Sequence, residues 1–479
     1  MAHLLVSAAH KSSGKTTITL GLCAALTRRG LTVQSFKKGP DYIDPMWLSA
    51  ATFAGRKAGE ANERPCRNLD YYTMSRDEIL ATFSRHAHDA DVSIIEGNKG
   101  LYDGLDLDGS NSNAALATLL GAPVVLVIDA RGMTRGIAPL ILGYQSFDPS
   151  VRISGVILNK IGGARHERKL RAIIEHYTDV PVLGAVHRDP RLEISERHLG
   201  LIPSNEESEA RAKVDAIAEA IASQVNLDAV MDVARGAIPP TATALPRQPP
   251  RAPDLRIGIA RDAVFGFYYP GDLEALEAAG AALVPMDMLH DAALPEIDGL
   301  FMGGGFPETH MKDLEANAAL RHAVKDAIAA GLPAYAECGG LMYLARSLTW
   351  RGRTCEMAGA VPADVVMHET PQGRGYVRLR ETGNGPWPLL DAGGSPMELS
   401  AHEFHYSSLE NLDEDAVFAY EVLRGHGIDG CHDGLRVNNL LAGYAHMRDV
   451  GGNRWAGRFV TFVRSCKETP VVLEKEYDG

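Results

Sequence analysis

The sequence predicts two α/β domains joined by an extended linker. Short β-branched runs alternate with helical segments over residues 1–237, the pattern of a doubly wound parallel sheet. Six prolines then fall within residues 238–254 (IPPTATALPRQPPRAPD), which forbids a regular helix or central strand there. Beyond this linker the strand–helix alternation restarts and occupies residues 255–479. At 479 residues the chain is also too long for one ordinary hydrophobic core.

Taken in order, HLLVSAA, LTVQSFK, DVSIIEG, PVVLVIDA, ISGVILNK and PVLGAV read as buried parallel strands, being near-continuous apolar runs. Segments between them, such as TTITLGLCAALTRRG, carry helical periodicity and end in glycine. Residues 205–237, with EESEARAKVDAIAEAIASQV, read as helical and close the first domain. After the linker, RIGIARD, AALVPMD, GLFMGGG and PAYAECG are strand-like. From about 351 to 446 the chain is richer in glycine and in short polar–apolar alternation, which predicts antiparallel strands and loops.

Composition narrows the function. With 45% hydrophobic and 23% charged residues the balance is that of a globular protein. A net charge of -13 argues against non-specific nucleic-acid binding, which needs a basic footprint. The six cysteines are scattered without CxxC spacing, so they form neither a disulfide framework nor a zinc module, and suit a reducing cytosol. No stretch approaches the roughly 20 apolar residues that span a bilayer, and the N-terminus lacks a signal pattern. A cytoplasmic protein is expected, with neither nucleic acid nor membrane as partner.

AHKSSGKTT, Ala9 to Thr17, follows a predicted strand and opens a predicted helix. It matches a phosphate-binding loop except that Ala9 replaces the first glycine. Ser13 and Gly14 bring the backbone to the phosphates, Lys15 neutralises their charge, Thr16 can ligate magnesium, and Thr17 extends the motif. Metal-positioning acids should lie at the carboxyl ends of neighbouring strands. KKGPDYIDP supplies Asp41 and Asp44, and EGNKGLYDG supplies Glu96 and Asp103. Magnesium takes only one or two carboxylates plus phosphate oxygens, so four acids exceed what the metal alone needs; Thr16, Asp41 and Glu96 are the expected metal set. Asp44 and Asp103 are expected to serve substrate activation, acids beyond the metal's need could also stay solvated, and loop capping is equally open to Asp103. Asn159, at a strand end, could read a nucleobase edge or cap the next helix. Lys37, Lys38, Lys99 and Arg67 could meet substrate carboxylates or stay solvated.

PAYAECGGLMYL places Cys338 between a strand-like and a helix-like run, with small neighbours that permit a strained, nucleophile-presenting turn. A helix N-terminus there favours the thiolate. Upstream, GLFMGGGFPE offers the Gly304 and Gly305 amides as oxyanion donors. A base is required; His446 supplies it, with His402 and His405 of AHEFHYS as rivals. The two sites make sense together if the thiol frees ammonia from L-glutamine through a thioester and the nucleotide site consumes it. There ATP would phosphorylate a carboxylate, and ammonia would convert the acyl phosphate to an amide.

At these residues the sequence resembles the cobyrinic acid a,c-diamide synthase family. The resemblance spans nearly the whole chain, through SGKTT, FKKGPDYIDP, RNLD, EGNKGLYDG, GAPVVLVIDA, GVILNKIGG, RHLGLIP, GLFMGGGFPE, YAECGGLMYL and HEFHYS. It implies a dethiobiotin-synthetase-like ATP domain followed by a class I-type glutamine amidotransferase domain. It implies amidation of the a and c acetate side chains of a modified tetrapyrrole, with ATP, Mg2+ and glutamine. It places Cys338 and His446 at the glutaminase, Lys15 and Thr16 at ATP and magnesium, and Asn159 near the nucleobase. Asp41, Asp44, Glu96 and Asp103 match the acidic positions. Class I amidotransferases usually add a glutamate two residues after the histidine; here Arg448 stands there, and the resemblance implies a dyad without a third member. EGNKGLYDGLDLDGSNSNAALA departs from the EGVMGLYDG style associated with cobyrinate, and it, KSSGKTT and NLDYYTMSRDEI look more like a branch that amidates sirohaem. The expected partners are the tetrapyrrole and a second copy of the chain. Two other readings are a P-loop regulatory ATPase with an inactive amidotransferase-like domain, and a carboxylase of the dethiobiotin type.

Overall fold

A computed structural model describes residues 1–53, 64–194, 196–197, 200–205, 210–241 and 249–468. Residues 242–248 of the linker, 206–209 of the closing helical stretch and 198–199 of the RHLGLIP motif lie outside the described residues. The chain divides into two compact units, Met1–Leu245 and Pro246–Gly479.

The first unit is built on a seven-stranded sheet, parallel throughout. Its strands are β1 (His3–Ala8), β2 (Val33–Lys38), β3 (Arg67–Leu69), β4 (Val92–Glu96), β5 (Val124–Asp129), β6 (Ile153–Ile161) and β7 (Val182–His187), in the spatial order β3-β2-β4-β1-β5-β6-β7. All six expected strands are present, and β3 is an addition. Alternate residues of β1 (Leu4, Val6, Ala8), β4 (Val92, Ile94) and β5 (Val125, Val127) share one core with Ile18, Leu22 and Leu26 of helix α1 (Lys15–Arg28). The period of two along each strand thus meets the helical period of α1 on one face. The closing segment is two helices, not one. Ala210–Gln224 ends where Val225 bridges to Gly184, and the Asn226 side chain caps Leu227–Arg235 by accepting from the Ala229 N–H at 3.1 Å.

The second unit holds a nine-stranded sheet with a change of direction inside it. Ala281–Met286, Leu255–Ala260, Gly299–Met302, Ala334–Glu337 and Leu440–Gly443 lie side by side and parallel. Next to Leu440–Gly443 the sheet continues antiparallel through His432–Val437, Val417–Arg424, Gly373–Glu381 and Glu398–His405. The antiparallel strands expected from about 351 to 446 therefore mostly extend the parallel sheet, while Arg353–Glu356, Asp364–Met367 and Ser407–Glu410 enter a separate four-stranded one. Cores cover both faces of the nine-stranded sheet. Leu300, Met302, Ala334 and Ala336 face one, and Phe301, Tyr335 and Leu441 the other.

Among the described residues no helix is long and apolar enough to cross a membrane.

Candidate functional sites

The loop between β1 and α1 turns on Ser12 (φ +63°) and Gly14 (φ +87°), left-handed positions of which only the glycine is free of Cβ strain. Gly14 has a second constraint, since a Cβ there would collide with the Asn159 amide nitrogen. Asn159 lies beneath the loop at the end of β6; its Nδ2 donates to the Ser13 carbonyl at 2.8 Å and its Oδ1 accepts from the Lys160 N–H at 2.9 Å. The structure thus uses Asn159 as a brace for the loop. Ser13 is buried and its hydroxyl donates to the His10 carbonyl at 2.8 Å. Lys15, Thr16 and Thr17 form the first turn of α1.

Four acidic side chains gather near this turn. Glu96, fully buried at the end of β4, accepts through Oε1 from Thr16 Oγ1 at 2.7 Å and from Lys37 Nζ at 2.9 Å. Asp44 accepts from Thr16 Oγ1 at 3.4 Å and pairs with Lys37. Asp41 stands 3.8 Å from Lys37 Nζ and also accepts from the Asp44 N–H at 3.2 Å. Asp103 caps its own loop, accepting from the Gly100 N–H at 2.8 Å, and lies near enough to Lys15 to stabilise its charge.

Lys37 is the residue whose position sequence reasoning left open. It is buried and sits among Asp41, Asp44 and Glu96. Burial alone would lower its ammonium, but these carboxylates outweigh that and hold it well above its ordinary value. Burial pushes the Glu96 carboxyl up, Lys37 pulls it back and Asp44 pushes it up again, for a net rise. Lys38, also buried, donates to Asn98 Oδ1 at 3.2 Å, and desolvation brings it down to about 8.

Among the described residues no three Asp, Glu, His or Cys side chains form a ready protein-only metal site. The donors suit a cation that arrives with phosphate. Glu96 Oε2 is a buried carboxylate oxygen with no hydrogen-bond partner, Thr16 Oγ1 is adjacent, and the carboxylates outnumber Lys15 and Lys37.

In the second unit, Cys338 follows the strand Ala334–Glu337 at φ +46° and ψ -102° and opens the short helix Gly339–Leu344. A non-glycine residue in that conformation is strained, and the surroundings hold it there. Its N–H donates to the Gly443 carbonyl at 2.8 Å. Glu337 lies opposite Gly443 in the parallel register, so the two strand ends deliver Cys338 and His446 side by side. The Cys338 thiol is hydrogen-bonded to the His446 ring. Burial would push the imidazole down, but Cys338 and Glu337 outweigh it and draw it up to about 10.

The rival histidines are held differently. His402 stacks on His446 with ring centroids 4.9 Å apart, and burial holds it well below its ordinary value, hence neutral. His405 stacks on Tyr444 at 3.7 Å, with Nδ1 2.8 Å from the Ser407 carbonyl. Gly304 and Gly305 pair antiparallel with Phe265–Phe267, beside the thiol and the imidazole. A Cβ on Gly304 would lie 2.6 Å from His446 Cε1, and one on Gly339 would lie 2.7 Å from the Gly305 nitrogen. No side chain larger than hydrogen fits these contacts.

Residues 5–202 match the family described as the CobQ/CobB/MinD/ParA nucleotide binding domain, and residues 256–450 the CobB/CobQ-like glutamine amidotransferase domain. The chain is 47% identical over 470 residues to a cobyrinate a,c-diamide synthase of Magnetococcus marinus, covering 96% of this chain and 97% of that protein. It is 42% identical to one of Methanosarcina acetivorans, covering 95% and 94%, and 40% identical to one of Archaeoglobus fulgidus, covering 95% and 96%.

Proposed function

The chain belongs to the cobyrinate a,c-diamide synthase family, and from that premise we propose that it converts two acetate carboxylates of a cobyrinate-type tetrapyrrole to amides, with ATP and glutamine as co-substrates. It is a glutamine-dependent amidating ligase. One observation carries the two-step reading: a strained thiol is hydrogen-bonded to a histidine in a chain whose other unit rings a phosphate loop with acids.

At the glutaminase, Cys338 attacks the glutamine amide carbon while the Gly304 and Gly305 region receives the developing oxyanion. His446 carries the proton to the departing ammonia, leaving a Cys338 thioester that water hydrolyses to glutamate. At the other site Ser13, Gly14, Lys15 and Thr17 hold the ATP phosphates. Thr16 with Glu96 and Asp41 would hold magnesium, which neutralises phosphate charge when bound with the nucleotide. Asp44 and Asp103 are assigned to substrate activation through the groups they hold, Thr16 and Lys37 for Asp44 and the Gly100 loop for Asp103; the substrate carboxylate attacks the γ-phosphorus, giving an acyl phosphate and ADP. Ammonia then displaces phosphate from the acyl carbon and yields the amide.

A sirohydrochlorin or sirohaem substrate is the second reading, favoured by the EGNKGLYDG and NLDYYTMSRDEI segments. Mass spectrometry after incubation with cobyrinate, sirohydrochlorin or sirohaem, each with ATP, magnesium and glutamine, separates them. Two hydroxyl-to-amide replacements on cobyrinate are expected; replacement only on the iron-free or iron-bearing sirohaem ring would move the assignment there. No product and no glutamine hydrolysis would support the regulatory ATPase instead.

A further inference from the structure

The strand that ends in the nucleophile carries a carboxylate beside the histidine. Tyr335 and Glu337 lie two apart on the same face of Ala334–Glu337. The Tyr335 hydroxyl donates to Glu337 Oε1 at 2.7 Å, and the Met447 N–H donates to the same oxygen at 2.8 Å. Those two bonds fix the carboxylate plane and occupy one oxygen. The other oxygen, Oε2, lies 3.4 Å from His446 Nδ1, with both side chains at most 4% exposed. With Nδ1 at ion-pair distance from Glu337, Nε2 is the nitrogen available to the Cys338 thiol. Two residues past His446, Arg448 stacks its guanidinium over the Tyr269 ring, 4.5 Å from the centroid, and offers no acceptor.

We propose that Glu337, the residue immediately before the nucleophile, is the third member of the glutaminase: a positioning residue that holds the Nδ1–H of His446 and keeps Nε2 facing Cys338. This rests on the assignment of Cys338 and His446 to glutamine hydrolysis. The function supplied elsewhere by a carboxylate beyond the histidine comes here from the neighbouring parallel strand. An acceptor in this place selects the imidazole tautomer whose free nitrogen can take the thiol proton, and it stabilises the imidazolium that results. The other groups facing His446 cannot substitute. His402 presents a stacked ring that burial keeps neutral, and Tyr269, under Arg448, has its hydroxyl 3.4 Å from His402 Nδ1.

The test uses the full chain carrying Glu337→Gln, with Glu337→Asp and Cys338→Ala alongside. In Glu337→Gln the Tyr335 and Met447 donors retain the amide oxygen, so the amide N–H₂ turns toward Nδ1 and selects the wrong tautomer. Glutaminase kcat is expected to fall at least about 100-fold with KM for glutamine little changed. The alkaline limb of the pH profile should move to lower pH, because the imidazolium has lost its carboxylate. Glu337→Asp should restore part of kcat and the original limb, and ammonia-dependent amidation should match wild type in both. Wild-type kcat and pH profile in Glu337→Gln, with Cys338→Ala inactive, would overturn the proposal. Glutaminase activity surviving in Cys338→Ala would instead overturn the site assignment. Heteronuclear NMR of histidine-labelled wild type, with His446 assigned from His446→Asn, needs no Glu337 variant. A protonated Nδ1 near neutral pH is expected, and an unprotonated Nδ1 would overturn the proposal.

Discussion

Lys37 Nζ donates to Glu96 Oε1 at 2.9 Å, with the two side chains 3% and 0% exposed. This buried pair joins the ends of two adjacent parallel strands, β2 and β4, directly under the first turn of α1. It places a fixed positive charge among the acids beside the loop.

Replacing Glu96 with Gln should disable the activation site selectively. The amide cannot serve the same charge role toward Lys37 and Thr16, and amidation is expected to fall at least about 100-fold while glutaminase turnover changes little. Because Asp44 still pairs with Lys37, the loss in folding stability should stay below the roughly 3–5 kcal/mol of a buried ion stripped of its only partner. Parallel amidation and glutaminase assays with urea unfolding check this; equal loss of both activities would place Glu96 outside the site.

Cys338→Ser should abolish glutamine-dependent amidation and leave ammonia-dependent amidation largely intact. The hydroxyl has no comparable nucleophile to offer a histidine already disposed to hold its proton. Loss of both activities at high ammonium would count against a division of labour between two sites.

The pH dependence follows from His446. Its proton is held up to about 10, so the imidazolium that donates to departing ammonia persists through neutral and mildly alkaline solution. Glutaminase activity should decline as pH rises through about 10. An alkaline limb at the ordinary imidazole value would show that Cys338 and Glu337 do not control this ring.

Two glycines next to functional groups give separable phenotypes. Gly304→Ala drives a methyl group to 2.6 Å from His446 Cε1, and is expected to reduce glutaminase kcat at least tenfold, about 1.4 kcal/mol of barrier, while ATP-driven amidation with ammonia survives. A variant with unaltered glutamine hydrolysis would mean that the ring has room to move.

Gly14→Ala should act on the other unit alone. It meets both an unfavourable φ of +87° and the Asn159 amide, so ATP binding by calorimetry should weaken at least about tenfold, with glutamine hydrolysis unchanged. Wild-type nucleotide affinity would show that the loop can reshape without loss.

The parts legible in the sequence are those whose chemistry demands a local pattern. Gly14 and Lys15 stand in the turn between strand and helix that a phosphate loop needs, and Cys338 is marked by small neighbours at a strand end. The strands of the first unit were legible because burial on both faces makes them continuous apolar runs. Lys37 and Glu337 were not. Each meets partners distant in the chain: Glu96 lies 59 positions from Lys37, and Met447 lies 110 from Glu337. A signal did exist for Glu337, a carboxylate directly before the candidate nucleophile in AECGG. Strand β3 escaped notice because three residues, Arg67–Leu69, are too few to show a period. The break at Val225–Asn226 was hidden because residues on both sides favour helix, and only pairing with Gly184 and capping by Asn226 interrupt it.

The parallel pairing of Ala334–Glu337 with Leu440–Gly443 ties the place of the thiol to that of the imidazole through the backbone ladder. The long excursion from Ala345 to Asn439 stands outside that pairing, and its His402 returns to back the His446 ring. Register between these two strands is therefore what any variant must preserve to keep sulfur and ring together.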